Sequence, residues 1–138
     1  MSELEDGMVM TAEAAKAEVM LWLDYKKVRK TTISNSTDAI NNIAGAVAEG
    51  LLVLNSESFE WEQKLMNPIE STKTLTYKPR LSASEIQASM RGISSGDPMG
   101  IMIGLVAQLT GNLSGVIKKI DSEDYGICQN IALFFVPK

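Results

Sequence analysis

DPMGIMIGLVAQLTGNLSGVIKKIDSEDYGICQNIALFF, residues 97–135, reads as three short helices set end to end. Asp97 followed by Pro98 is a helix opening: a carboxylate cap, then a ring whose missing N–H is not needed at the first helical position. Ile101, Met102, Leu105, Val106 and Leu109 recur at three- and four-residue spacing until Thr110-Gly111 stops the run. Asn112 is the expected cap of a second helix carrying Leu113, Val116, Ile117 and Ile120. Asp121 or Ser122 opens a third, with Glu123 and Asp124 in its first turn, then Tyr125, Ile127, Ile131, Phe134 and Phe135, before Pro137 ends it. These stripes hold more apolar side chains than three short helices bury among themselves. The preceding residues therefore read as elements that cover them.

Outward from this unit, Gly92 to Gly96 is a flexible link, and Ser82 with Glu85 three residues later is a capping box opening a helix with Ile86 and Met90 inward. Before it the apolar period is two. Leu51 to Leu54 is a short strand, Asn55-Ser56-Glu57 is turn chemistry, and Phe59, Trp61, Gln63 and Leu65 alternate with Glu60, Glu62 and Lys64. Asn67-Pro68 is expected to end that strand, and Thr72 to Lys78 offers a third, with Leu75 and Tyr77 on one side. Phe59, Trp61, Leu75 and Tyr77 would then form the sheet face that packs on helices.

The first part of the chain supplies two helices. Thr11 caps one that runs through Val28, with Ala15, Val19, Trp22, Leu23 and Lys26 on one face. Thr31 to Ser36 is a polar link, and Ser36 or Asn35 caps the next helix, whose narrow stripe is Ile40, Ile43, Ala44 and Val47 before Gly50 closes it. Residues 1–10 are a flexible acidic tail with Glu3, Glu5 and Asp6. The expected fold is one α+β domain over residues 11–138. It is mostly helical, with a small two- or three-stranded antiparallel sheet between an N-terminal helical pair and a C-terminal helical unit.

Composition narrows the function classes. At 138 residues with 45% hydrophobic and 22% charged side chains, the chain is long and apolar enough to bury a core, so disorder is not expected. The net charge of −4 is unevenly placed: residues 1–70 carry 6 basic and 12 acidic side chains, residues 71–138 carry 7 and 5. The first half would repel nucleic acid and the second grips a phosphate backbone too weakly, so no nucleic-acid partner is expected. Cys128 is the only cysteine, and no early apolar run has a basic flank, which points to a cytoplasmic protein. The longest uncharged apolar stretch, Pro98 to Ile117, contains Gln108, Thr110, Asn112, Ser114 and four glycines, a poor membrane span.

Chemistry-bearing patterns are sparse. The chain has no histidine, which removes the usual proton shuttle near neutral pH and the commonest metal ligand. Glycines at 92, 96, 100 and 104 lack the Lys-Ser or Lys-Thr of a phosphate loop, and Gly100 and Gly104 instead suit close approach of a neighbouring helix. Asp121, Glu123 and Asp124 form the densest acidic group, but three carboxylates opening a helix are expected as caps without any metal. Lys26, Lys27, Arg29 and Lys30 read as helix-end charge on a solvated face. Cys128 reads as a buried, inert thiol and the eight methionines as core filler. No catalytic residue, metal ligand or cofactor is expected.

The order Leu75-Thr76-Tyr77-Lys78-Pro79-Arg80, a helix, Leu105 through Leu109-Thr110-Gly111, a short helix reaching Ile120, Asp121-Ser122-Glu123-Asp124-Tyr125, and a last helix ending Phe134-Phe135 resembles the small tail assembly chaperones of tailed bacteriophages. Ile120 stands where leucine is usual in that family, and the likeness covers roughly residues 73–136. The resemblance implies a non-enzymatic protein of the host-cell cytoplasm that binds the tape-measure protein, a long aggregation-prone helical rod, or another tail component. It implies at most a weak homo-oligomer. On this reading the rod lies in a groove among Met102, Leu105, Leu109, Tyr125, Phe134 and Phe135. The alternatives are a virion structural protein, such as a tail tube or tail terminator subunit that self-assembles, and a small metal-dependent enzyme using Asp121 to Asp124.

Overall fold

The computed structural model describes residues 7–136. Glu3, Glu5 and Asp6 of the expected tail, and Pro137 at the expected end of the last helix, lie outside the described residues. The fold is α+β: seven described helices and a three-stranded antiparallel sheet.

Helix α1 (Ala12–Lys26) starts where the sequence places it, with the Thr11 hydroxyl accepting the Ala14 amide, and buries Ala15, Val19, Trp22 and Leu23. It stops two residues before the expected Val28, because Lys27 takes a left-handed conformation at φ 57°. The Lys27 and Val28 amides then turn back to the Asp24 and Leu23 carbonyls, the Schellman closure that glycine usually supplies. The expected polar link contains a helical turn, α2 (Lys30–Ser34), whose Ile33 packs against the core. Helix α3 (Thr37–Ala48) buries Ala39, Ala46 and Ala48 besides the predicted Ile40, Ile43, Ala44 and Val47, so its apolar stripe is broad rather than narrow. Small alanines let it lie between α1 and the C-terminal helices. Ahead of α1, the Val9 amide donates to the Ala48 carbonyl at 2.7 Å, and Met8 and Met10 rest on the core, so the last residues of the expected tail are anchored.

Strands β1 (Leu52–Leu54), β2 (Trp61–Ile69) and β3 (Thr72–Tyr77) pair in chain order, with Trp61 opposite Leu54 on one side and Tyr77 on the other. Leu52, Trp61, Gln63, Leu65, Leu75 and Tyr77 point inward and are buried. Phe59 does not join that face. It sits at φ 57° in the turn, with its ring stacked on Tyr25 at 4.1 Å. Strand β2 passes through Asn67-Pro68 instead of ending there, and its pairing with β3 is irregular between Lys64 and Ile69. Pro68 is tolerated because β1 no longer flanks β2 at that point and no ladder bond is asked of it.

Helix α4 (Ala83–Ser89) carries the predicted Ser82–Glu85 capping box, but it turns Ser89 inward and leaves Met90 39% exposed. Helix α5 (Pro98–Thr110) is capped by Asp97 and closed by Gly111 at φ 67°, as its sequence dictates. The two glycines of this helix have separate reasons. A methyl group at Gly104 would collide with the Ser89 carbonyl oxygen, so α4 and α5 meet there, whereas one at Gly100 would strike the Asp97 cap itself. Gly104→Ala is expected to lower stability by about 1–3 kcal/mol, measured by urea unfolding, because the obstacle is backbone and cannot rotate away. A change within experimental error would show that α4 is loosely held.

Helix α6 (Ser114–Ile117) is a single turn capped by Leu113, not Asn112. The Asn112 amide instead bonds Thr110, which leaves Leu113 outside the core at 79% exposure. Helix α7 (Ser122–Ala132), capped by Asp121, runs into a 3₁₀ turn, Leu133–Phe135, that buries Phe134 and Phe135. One continuous apolar cluster joins α1, α3, the inner sheet face, α5 and α7.

Candidate functional site

The densest set of ionisable and polar side chains lies inside the molecule, where α7 crosses β2. Asp124, Gln63 and Cys128 are completely buried and Tyr77 nearly so. The Asp124 carboxylate accepts the Met66 amide at 2.8 Å on one oxygen and the Asn67 amide at 2.9 Å on the other. Its backbone carbonyl accepts the Gln63 side-chain amide at 2.9 Å. The Gln63 carbonyl oxygen accepts the Tyr77 hydroxyl and the Cys128 thiol, and that thiol also reaches the Asp124 carbonyl at 3.4 Å. Every polar end in this knot has a partner, as a buried polar network requires.

Burial keeps the Tyr77 hydroxyl and the Cys128 thiol in their neutral forms. The Tyr77 hydroxyl is held well above its ordinary range by loss of solvent, reinforced by the neighbouring Cys128. The Cys128 thiol is pushed up to about 11, again chiefly by burial. Its thiolate, the nucleophilic form, is therefore suppressed at neutral pH. Native protein should leave Cys128 unmodified by an aromatic disulfide reagent at pH 8, with one equivalent released after denaturation. Because the folded thiol titrates higher than the unfolded one, its stabilising contribution is complete below about pH 9 and is lost as pH rises towards about 11. Rapid labelling of native protein would place the thiol at the surface.

The acidic run of the third C-terminal helix is thus split by function. Asp121 caps the Glu123 amide at 3.0 Å, Glu123 is exposed, and Asp124 is turned into the core. No group of three or more His, Cys, Asp or Glu side chains converges on a metal site among the described residues. The basic cluster after α1 is divided as well. The Lys26 ammonium folds back to donate to the Pro79 carbonyl at 3.1 Å and lies 3.6 Å from the centre of the Phe135 ring. Burial, with the Arg80 guanidinium, lowers Lys26 to about 8, while the ring face and the carbonyl favour its charged form. Arg80 donates to the Tyr25 carbonyl at 2.8 Å beside the Tyr25–Phe59 stack. Lys26 and Arg80 act as ties between α1 and the segment after β3, and neither belongs to an anion site.

The six residues expected to line a partner groove separate in the same way. Leu105, Leu109, Phe134 and Phe135 are buried in the core, and only Met102 and Tyr125 are half-buried. The apolar excess of the C-terminal unit is met by α1, α3 and the sheet. A surface cleft lies elsewhere, between α4, the Gly92–Gly96 link, α5 and α6, with a volume of about 890 Å³. Ile103 and Ala107 form its floor, Met99 and Leu113 its apolar margins, and Arg91 and Lys118 stand on its rim. Sequence reading places no groove here because it counts Met99 with the methionines as core filler and Leu113 in the stripe of the second short helix. In the fold they are 64% and 79% exposed. No described helix is long and apolar enough to cross a membrane. The chain matches no protein-family model, no curated protein and no solved structure.

Proposed function

We propose that this chain is a non-catalytic protein-binding chaperone of phage tail assembly, acting in the host-cell cytoplasm to hold the tape-measure protein until the tail tube encloses it. The observation that supports a binding role is the contrast between interior and surface. The groups with most chemical potential, Asp124, Cys128 and Tyr77, are closed upon one another, while large apolar side chains, Met20, Leu21, Met99 and Leu113, stand in solvent. Exposed apolar surface with charged borders suits an apolar stripe on a partner helix, and a net charge of −4 helps keep such a complex dispersed. The choice of a tail component as partner rests on the resemblance of residues 73–136.

Because Leu105, Leu109, Phe134 and Phe135 are core residues, changing them to Asp tests folding and not binding. Contact with a partner is confined to exposed or half-buried positions, Met102 and Tyr125 included. The test is an affinity pull-down of the tagged chain from cells producing its natural neighbours, with mass spectrometry of the recovered proteins and light scattering of the purified chain. A long helical protein in stoichiometric amount supports the reading. Recovery of the chain alone, in rings or tubes, would replace it with a virion structural protein.

A further inference from the structure

The cleft between α4, α5 and α6 is a basic patch on an acidic chain. From Lys78 to Ile120 the sequence carries five cations, Lys78, Arg80, Arg91, Lys118 and Lys119, and two carboxylates, whereas the rest of the chain carries eight cations and 15 carboxylates. Both carboxylates of this stretch are committed to local bonds. Glu85 closes its capping box on the Ser82 amide and pairs with Lys78 at 3.2 Å, and Asp97, the one carboxylate lining the cleft, caps the Gly100 amide. Of the cations, Arg80 is tied to the Tyr25 carbonyl and Lys119 to Glu70. Arg91 and Lys118 are exposed, line the cleft and make no salt bridge among the described residues. The cleft therefore offers two unneutralised cations and no free carboxylate.

Its apolar lining has the shape of a helix contact. Met99, Ile103 and Ala107 follow one another at four-residue spacing, so they form one ridge of α5, about 12 Å long. Leu113, just past the Gly111 stop, carries the apolar line beyond the end of the helix. A ridge of this spacing packs against the matching ridge of another helix. The exposed stripe of α1 from a second copy does not suit the charges, because residues 11–30 carry five cations against three carboxylates. We propose that this cleft binds an acidic amphipathic helix of another protein, which lays an apolar stripe along α5 and turns flanking carboxylates towards Arg91 and Lys118. The inference rests on the protein-binding reading above and gives it a site and a partner chemistry. With exposed charges screened over about 10 Å, the two rim cations act on a ligand in the cleft more strongly than the dispersed charge of the whole chain does.

The probes are two synthetic helical peptides of about 16 residues with the same leucine stripe and the same neutral fluorophore, one flanked by glutamates and the other by lysines. Each is titrated with the full chain and followed by fluorescence anisotropy. The net charge of −4 by itself favours the lysine peptide, so a preference for the glutamate peptide can come only from a local basic site. In about 50 mM NaCl the glutamate peptide should bind at least about tenfold more tightly than the lysine peptide, and about 500 mM NaCl should weaken it several-fold. Arg91→Glu with Lys118→Glu should reverse the preference, and Leu113→Ser should weaken the glutamate peptide about fivefold, each variant first matched to the wild-type chain by circular dichroism and thermal unfolding. Equal binding of the two peptides, preference for the lysine peptide, or no saturable binding of the glutamate peptide up to about 1 mM would overturn the proposal, and the wild-type chain alone decides these outcomes. A double variant that keeps the wild-type preference would overturn it as well. So would self-association of the wild-type chain in sedimentation velocity that the double variant abolishes, since the cleft would then belong to a second copy. The tail-assembly reading is decided separately. If the double variant still recovers a long helical protein in the pull-down, that reading stands and the cleft is not its site; if the peptides are discriminated and no tail component is recovered, the cleft stands without that reading.

Discussion

Asp124→Ala lowers the stability of the fold by about 2–4 kcal/mol, read as a shift of the urea midpoint followed by tryptophan fluorescence. The carboxylate accepts two backbone amides in the irregular part of β2, beyond its pairing with β1, and both bonds are charge-assisted. Alanine leaves the two donors without their acceptor and opens a gap at a position with no exposed surface. The amides of Met66 and Asn67 are only partly buried, which lets water recover some of the loss and holds the estimate below that for a sealed ion pair. Asp124→Asn is the informative companion. It keeps one acceptor and turns the other into a donor facing an amide, so it should destabilise despite its matching size. If alanine and asparagine both unfold at the wild-type midpoint, the carboxylate does not hold β2.

Trp22→Ala is expected to cost more, about 3–5 kcal/mol, and to leave the chain close to unfolded at 37 °C. The indole is the point at which α1 meets both the sheet and the 3₁₀ turn. Its ring centre lies 5.8 Å from that of Trp61 at a steep angle, 5.6 Å from Phe134 and 6.1 Å from Phe135. Edge-to-face pairs of this kind add to plain burial, and the Lys26 ammonium over the same cluster adds a cation to it. Removing the indole therefore loosens three elements at once. Trp22→Phe, which restores most of the area and an aromatic face, should recover more than half of the loss in thermal unfolding. Equal losses for phenylalanine and alanine would assign the effect to something other than ring packing.

Elements whose ends are set by adjacent residues could be read directly. Thr11, the Ser82–Glu85 box, Asp97 with Pro98, Gly111 and Asp121 all act where the sequence places them, because each cap and its partner lie within about four residues of one another. The α+β class followed from the change of apolar period after Gly50. What could not be read depends on partners far along the chain. Strand β2 runs past Pro68 because Asp124, 57 residues beyond Asn67, supplies what a neighbouring strand does not. Asp124 itself is spaced like any first-turn carboxylate, and only the polar Gln63 at an inward strand position hinted that a partner was needed. The one-turn helix α2 depends on Ile33 finding the core. The groove inferred for Met102, Leu105, Leu109, Tyr125, Phe134 and Phe135 came from weighing one unit alone, whereas four of those six residues are buried: α5 packs against α4 and β3, and Trp22 of α1 meets Phe134 and Phe135.

The grip of Asp124 on Met66 and Asn67 also sets an order on events during synthesis. Those amides emerge from the ribosome well before their acceptor, and closing the intervening loop costs conformational entropy that only a docked α7 returns. Until Asp124 is out, the far half of β2 is an unpaired strand edge able to join another nascent chain. The carboxylate is then a late lock on translation-stage aggregation as well as a tie in the finished fold.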